Sequence, residues 1–326
     1  MNEINANSIV LDNLTQKYFG EFLKDDNVNE IAYNGGNLIW VEDISGNWQS
    51  FKSDIDIKAA LAFGNTAAAF KKDTLDKTKP ILSCVLSTGE RVQIVIPPAC
   101  KDGYASITIR KPSKTRYTIV DYLKSKSLDE PLADLLKVSI EAGKNIIICG
   151  ETGSGKTTFM KTLIDFIPLE ERIITIEDVE EIKFYQHKNF VQLFYPSEAK
   201  SSDTVNSTTL LKSCLRMKPS RILLAEVRGA ETYDFLNVIS SGHNGSMTSC
   251  HAGSVKTAYD RLVMMSMQNP QAMALGKDMI MDIVKNVIDM IVVFKRHNGK
   301  RQVTEYICNG EFYYRDSDDI IKKGEL

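Results

Sequence analysis

Two rhythms of apolar and polar positions divide the chain. From Ile31 to Arg110 the apolar residues fall in short alternating runs separated by turn residues, the pattern of strands half buried in a sheet. Ile31–Tyr33 and Leu38–Val41 flank Asn34-Gly35-Gly36-Asn37, a hairpin signal, and Ser45-Gly46-Asn47 turns the chain again before Trp48–Phe51. Arg91–Ile96, preceded by the turn Ser87–Glu90, and Ser106–Arg110 repeat the strand character, while alanine-rich, proline-free Ile57–Phe70 predicts a helix. Together they predict a small α+β domain over residues 1–111. Lys111-Pro112-Ser113-Lys114 opens a polar stretch ending at Asp129-Glu130-Pro131, read as a linker over 112–130 with one short helix at Ile119–Leu123. Beyond Pro131 the pattern becomes helix, strand, glycine loop, helix, strand, the alternation of a doubly wound α/β domain over 131–326. Tyr195–Thr209, crowded with Ser, Thr, Asn and Asp, predicts a long exposed loop, and Met279–Phe294 a helix ending near Asp289 followed by a strand.

The second domain carries the chemistry. Gly150-Glu151-Thr152-Gly153-Ser154-Gly155-Lys156-Thr157 satisfies GxxxxGK[ST] between the apolar run Asn145–Cys149 and a helical pattern from Thr158 to Phe166. Glycines let the backbone curl so that successive N–H groups face phosphate oxygens, and the helix that follows presents the positive end of its dipole. Gly150 through Thr158 is therefore read as binding a nucleoside triphosphate, with Lys156 on the β and γ phosphates and the Thr157 hydroxyl on Mg²⁺. Hydrolysis needs carboxylates at the same place, and two apolar strands end in them. Arg172–Ile176 leads to Glu177-Asp178, with Glu180 and Glu181 beyond, and Arg221–Ala225 leads to Glu226, with Arg228 two residues on. Ligands in open α/β sheets sit at the carboxyl ends of strands, so both clusters can converge on the glycine loop. Ser246–Cys250 predicts another strand, ending at His251, which is either a hydrogen-bonded core histidine or a link between phosphate occupancy and the following segment. Arg91 and Arg110 stand in first-domain strands, either as surface ion-pair partners or as guanidiniums that close on the γ phosphate.

Composition narrows the classes of function. With 326 residues, 43% hydrophobic and 25% charged, the chain is ordinary globular material rather than disordered or membrane-embedded. Lys+Arg 40 against Asp+Glu 42 leaves a net charge of −2, without the basic excess of a protein that coats nucleic acid. Six cysteines with no CxxC pair fit neither a zinc cluster nor a disulfide framework, and suit a reducing compartment. The N-terminal residues lack a basic region followed by an apolar one, and Met279–Phe294 is interrupted by Asp282, Lys285 and Asp289. A cytoplasmic location is expected, with any membrane contact peripheral or through a partner. Seven of the 11 methionines, Met264, Met265, Met267, Met273, Met279, Met281 and Met290, fall near the C-terminus and read as core or subunit packing.

In order and character these boxes resemble those of the traffic ATPases of bacterial secretion, most closely the hexameric ATPase of type IV secretion. Gly150–Thr157 looks like the family's Walker A, Ile174–Glu181 its acidic box, Arg221–Arg228 its Walker B and Gly242–Gly253 its histidine box. Glu30–Gly35 with Trp40, and the strands at Gly89–Val92 and Ile107–Arg110, look like its N-terminal domain. The resemblance implies a RecA-like P-loop NTPase domain with a smaller N-terminal α+β domain, stacked as two rings in a homo-hexamer. It implies that Glu226 is the Walker B glutamate, Glu181 the acidic-box glutamate needed for hydrolysis, and His251 the histidine-box residue. Glu177 and Asp178 become partners of Mg²⁺ through water, Arg228 joins the nucleotide-binding set, and Arg91 and Arg110 touch the nucleotide. The implied function is a mechanical ATPase using ATP and Mg²⁺ at the cytoplasmic face of the inner membrane, with secretion-system membrane proteins as partners and exported protein or DNA as substrate. Ala225 stands where the family commonly has glycine. Pilus and type II secretion ATPases are the near alternative, though their assembly members often carry a tetracysteine zinc element absent here; a nucleic-acid motor on the same core is the more distant one.

Overall fold

The first element is one that the strand-rich reading of the first domain omits. In the computed structural model, which describes residues 3–112, 115–196, 199, 203–297 and 299–326, with side chains from residue 7 onward, α1 spans Glu3–Lys24. Its signal is a stripe at every fourth position, Leu11, Thr15, Phe19 and Leu23, and the helix buries these together with Gly20. The chain continues through β1 (Val28–Tyr33), β2 (Leu38–Asp43), β3 (Trp48–Lys52), α2 (Ile57–Lys71), β4 (Ile81–Val85), β5 (Arg91–Val95) and β6 (Ser106–Arg110). Asp56 starts α2 by accepting a hydrogen bond from the Ala59 N–H. The strands form an antiparallel sheet in the order β3-β2-β1-β6-β5-β4. One face packs Ile31, Ile39, Val92, Ile94, Ile107 and Ile109 into a core with Phe19 of α1 and Phe63 of α2. On the opposite face, register aligns Glu42, Glu30, Arg110 and Arg91 across four successive strands.

The backbone separates into two compact units, Met1–Thr115 and Arg116–Leu326. Of the stretch 112–130 read as a linker, Ser113 and Lys114 lie outside the described residues, and Arg116 onward belongs to the second unit. There α3 (Ile119–Lys124) lays Tyr122 edge-on against Phe159 and Phe294, 5.1 and 5.7 Å between ring centroids. The second unit then runs α4 (Glu130–Glu141), β7 (Ile146–Cys149), α5 (Lys156–Leu163), β8 (Ile173–Glu177), β9 (Phe190–Phe194), α6 (Ser207–Cys214), β10 (Arg221–Leu224), α7 (Glu231–Ser240), β11 (Met247–Cys250), α8 (Val255–Ser266), α9 (Pro270–Leu275) and α10 (Lys277–Val287). Four strands close it, β12 (Met290–His297), β13 (Lys300–Cys308), β14 (Glu311–Arg315) and β15 (Ile321–Gly324), the last three being elements the sequence reading did not identify. The exposed loop expected over Tyr195–Thr209 is shorter than that, because Asn206 caps α6; residues 197, 198 and 200–202 lie outside the described set.

The second sheet has the order β15-β14-β13-β12-β7-β11-β10-β8-β9, parallel from β12 to β9 and antiparallel beyond β12. Its central strands are buried on both faces; β7 is apolar throughout, whereas β8 and β11 also bury Thr175, Thr248 and Ser249. Ile146 and Ile148 of β7 face a core with α4 and α5, whereas Ile147 and Cys149 face one with α7, α8 and α10. With both faces covered, reactive side chains can be presented only where the strands end. Of the C-terminal methionines, Met265 and Met290 are buried, while Met264, Met273 and Met279 are exposed.

Candidate active site

The glycine loop lies between the end of β7 and the start of α5, and steric room dictates its residues. A Cβ on Gly150 would stand 2.3 Å from the Phe294 carbonyl oxygen, so no larger residue fits. Gly153 and Gly155 take left-handed φ values of +72° and +94°, and Gly155 caps α5. Glu151, Thr152 and Gly153 are exposed at the tip, Thr157 and Thr158 are half-buried on the first turn of α5, and Ser154 is buried with its Oγ unpartnered.

Lys156 is buried behind this loop. Its Nζ lies 3.7 Å from Glu226 Oε1 and 3.2 and 3.3 Å from the His251 ring nitrogens, and His251 Nε2 is 2.8 Å from the same Glu226 oxygen. The ends of β7, β10 and β11 thus converge on one point. Burial pushes the Lys156 ammonium below its ordinary range, opposed by the Glu226 charge. His251 is pushed down as well, first by burial and then by the nearby cations, again against Glu226. The two Glu226 oxygens differ. Oε2 accepts from Arg228 Nε at 2.9 Å and lies 2.8 Å from its Nη2, while Oε1 is buried and makes no aligned hydrogen bond. Arg228 also donates to Asp178 Oδ2 at 3.1 Å, tying the ends of β8 and β10 together. Burial alone would lower the Arg228 guanidinium, but Glu226 and Asp178 hold it well above its usual value.

Glu177 departs from the expectation that it partners Mg²⁺. It is fully buried, and both oxygens are engaged: Oε2 accepts the backbone N–H groups of Glu181 and Ile182, each at 2.8 Å, and Oε1 accepts from Thr175 Oγ1 and Gln192 Nε2. Four donors inside the protein leave it nothing to offer a ligand; it folds the chain after β8. Burial raises its pKa and those hydrogen bonds oppose the shift. Glu181 turns toward α5, where its carboxylate lies 3.7 Å from Lys161.

Arg91 and Arg110 face each other directly across β5 and β6 in the first unit, with Glu30 opposite Arg110 on β1. His243 stays at the end of α7, against the Val238 carbonyl oxygen and Ser241, and no metal-ligating cluster occurs among the described residues. Sequence reasoning missed two supports. Glu231 Oε1 accepts the Arg228 and Gly229 N–H groups, and Ser249 Oγ donates to the Ala225 carbonyl oxygen; both are ordinary polar residues with no motif to mark them.

Residues 24–310 match the family described as type II/IV secretion system protein. The type IV secretion system protein VirB11 of Brucella abortus is 44% identical over 303 residues, covering 85% of this chain and 83% of its own. The type IV secretion system protein PtlH of Bordetella pertussis is 37% identical over 317 residues, covering 90% and 92%. Among solved structures, the VirB11 ATPase of the Brucella suis type IV secretion system, in complex with sulphate, aligns with a TM-score of 0.51 at 38% identity, covering 94% of this chain and 96% of that one. The pilus retraction motor PilT with bound ADP shares the fold, with a TM-score of 0.62 at 18% identity, covering 90% and 82%. The fold is accordingly that of a RecA-like P-loop NTPase, and the chain belongs to the nucleotide-binding type II/IV secretion system protein family as an ATPase of type IV secretion.

Proposed function

We propose that this ATPase hydrolyses Mg²⁺-ATP with Glu226 as the carboxylate that orients the attacking water. The observation carrying this reading is Glu226 Oε1, a buried acceptor with no aligned hydrogen bond, lying between the Lys156 ammonium at 3.7 Å and His251 Nε2 at 2.8 Å. Lys156 rests on Glu226 and His251, so the phosphates of ATP compete for that ammonium. Once Lys156 turns to the β and γ oxygens, Oε1 keeps His251 beside it and its second lone pair can accept a hydrogen from water, while Arg228 holds the other carboxylate oxygen in place. The water oxygen then bonds to the γ phosphorus as the bond to the β–γ bridging oxygen breaks, giving ADP and inorganic phosphate.

The donors near the loop fit a hard cation: the Thr157 hydroxyl and the Asp178 and Glu226 carboxylates are all oxygen ligands. Mg²⁺ held there by Thr157, and by Asp178 through water, would neutralise charge on the β and γ phosphates. Glu181 supports the site through Lys161, and His251 passes the change in Lys156 to the segment leading into α8. Arg91 and Arg110, a pair of like charges on one sheet face, are suited to an anion and are assigned to the nucleotide in the assembled ring.

We further propose a homo-hexamer at the cytoplasmic face of the inner membrane, working with membrane proteins of the secretion system on exported protein or DNA. Both type IV relatives support that setting, and no helix among the described residues is long and apolar enough to cross a membrane. Light scattering with and without Mg²⁺-ATP, alongside hydrolysis with and without single-stranded DNA, tests it. A six-chain particle whose rate ignores DNA is expected. A monomer or dimer that hydrolyses ATP only with DNA contradicts it.

A further inference from the structure

A second pair of arginines lies on the other side of the glycine loop from the catalytic carboxylate. Arg296 of β12 and Arg301 of β13 are directly opposed in register, so their side chains leave the sheet on the same face. That face is the one covered by α5, because Phe294, two residues before Arg296, stacks on Phe159 of α5 with 4.9 Å between centroids. The stem of Arg301 reaches the loop itself: its Cδ stands 3.6 Å from the position a Cβ on Gly155 would occupy. Both arginines are exposed, and neither forms an ion pair with a carboxylate among the described residues. Like charges directly opposed across a ladder repel, and an anion between them or beside them removes that cost.

Strand order says which part of a nucleotide this is. The order β13-β12-β7-β11-β10 puts the arginine pair on one side of the strand that feeds the loop and Glu226 on the other. A polyphosphate lying across the loop with its γ end at Glu226 has its α end toward β12 and β13. We infer that Arg301, seconded by Arg296, holds the α-phosphate end of the nucleotide, as a positioning residue for binding rather than a participant at the γ phosphorus. This rests on the nucleotide reading of the loop above.

Because ADP and ATP share the α-phosphate, Arg301→Ala should weaken both equally, raising each Kd and the KM for ATP about tenfold, with kcat within about twofold of the parent. Arg301→Lys should recover part of the affinity and Arg296→Ala should lose less. Titration of a fluorescent ADP and of ATP, with steady-state kinetics on the full-length protein, reads all of these. An unchanged ADP Kd in Arg301→Ala overturns the inference, as does a loss confined to kcat. Lys156→Ala in the same titration separates the two layers. If it too leaves ADP binding intact, the nucleotide reading falls and takes this inference with it; if it weakens binding while Arg301→Ala does not, only the inference falls.

Discussion

Two glutamates end adjacent parallel strands in opposite surroundings. Glu177 finishes β8 and Glu226 lies two residues beyond the last residue of β10, and the two strands pair in register. Glu177 is fully enclosed and accepts from four donors of its own chain; Glu226 has one oxygen gripped by Arg228 and the other in contact with Lys156 at 3.7 Å and His251 at 2.8 Å, without an aligned hydrogen bond. A carboxylate at the carboxyl end of a strand is therefore no mark of catalysis in itself. What separates the two is whether the protein has already used its lone pairs.

The largest expected effect comes from taking away Glu226's neighbour. Lys156→Ala should abolish turnover and most nucleotide affinity, seen by phosphate release and equilibrium titration, while leaving thermal unfolding near that of the parent. A variant that still binds ATP at parental affinity breaks the assignment of the loop. Next in size, Arg91→Ala and Arg110→Ala should each lower kcat about tenfold or more with folding intact, as expected for guanidiniums that meet phosphate. Parental rates in both would return them to exposed ion pairing.

A smaller change sharpens the structural side. Thr175→Val removes one donor from Glu177 without altering shape, and should cost about 1.5 kcal/mol. In an unfolding scan that is an apparent Tm lower by about 3–6 °C, with unchanged kcat in the folded protein. Reduced turnover at full stability would instead tie Glu177 to the reaction.

The smallest effect is a pH dependence. Burial and neighbouring cations hold His251 below its ordinary pKa, so the unfolded chain takes up a proton at higher pH than the folded one. Stability is then lost as pH falls through about 6.5 toward the lower folded value. His251→Gln lacks this proton, so its Tm should gain on the parent as pH falls from about 7.5 to 5.5. A constant difference across that range removes the depressed titration from the account.

Much of this was legible in the residues. The glycine loop follows an apolar strand and Glu226 follows another, so both are marked by the residues before them, whereas the half-polar strand ending at His251 is marked by the glycines that flank it. Glu177 was misjudged for a physical reason: its donors include the backbone of Glu181 and Ile182 and the side chain of Gln192 on β9, which no local pattern connects to it. Helix α1 was passed over although its stripe of Leu11, Thr15, Phe19 and Leu23 is regular, because a threonine interrupts the apolar series. The β12–β13 pairing escaped too, since which arginine faces which depends on register, and an irregularity between Val293 and Phe294 shifts it.

Glu226→Gln and Glu177→Gln, prepared side by side and followed by ATP affinity, turnover and thermal unfolding, test the central claim most directly. Glu226→Gln should bind ATP as the parent does and melt close to it, with kcat down by about 10²–10⁴-fold. Glu177→Gln should melt about 4–8 °C lower for about 2 kcal/mol lost, yet turn over at the parental rate where folded. If instead Glu177→Gln is stable and inactive while Glu226→Gln remains active, the roles drawn from their hydrogen bonds are wrong.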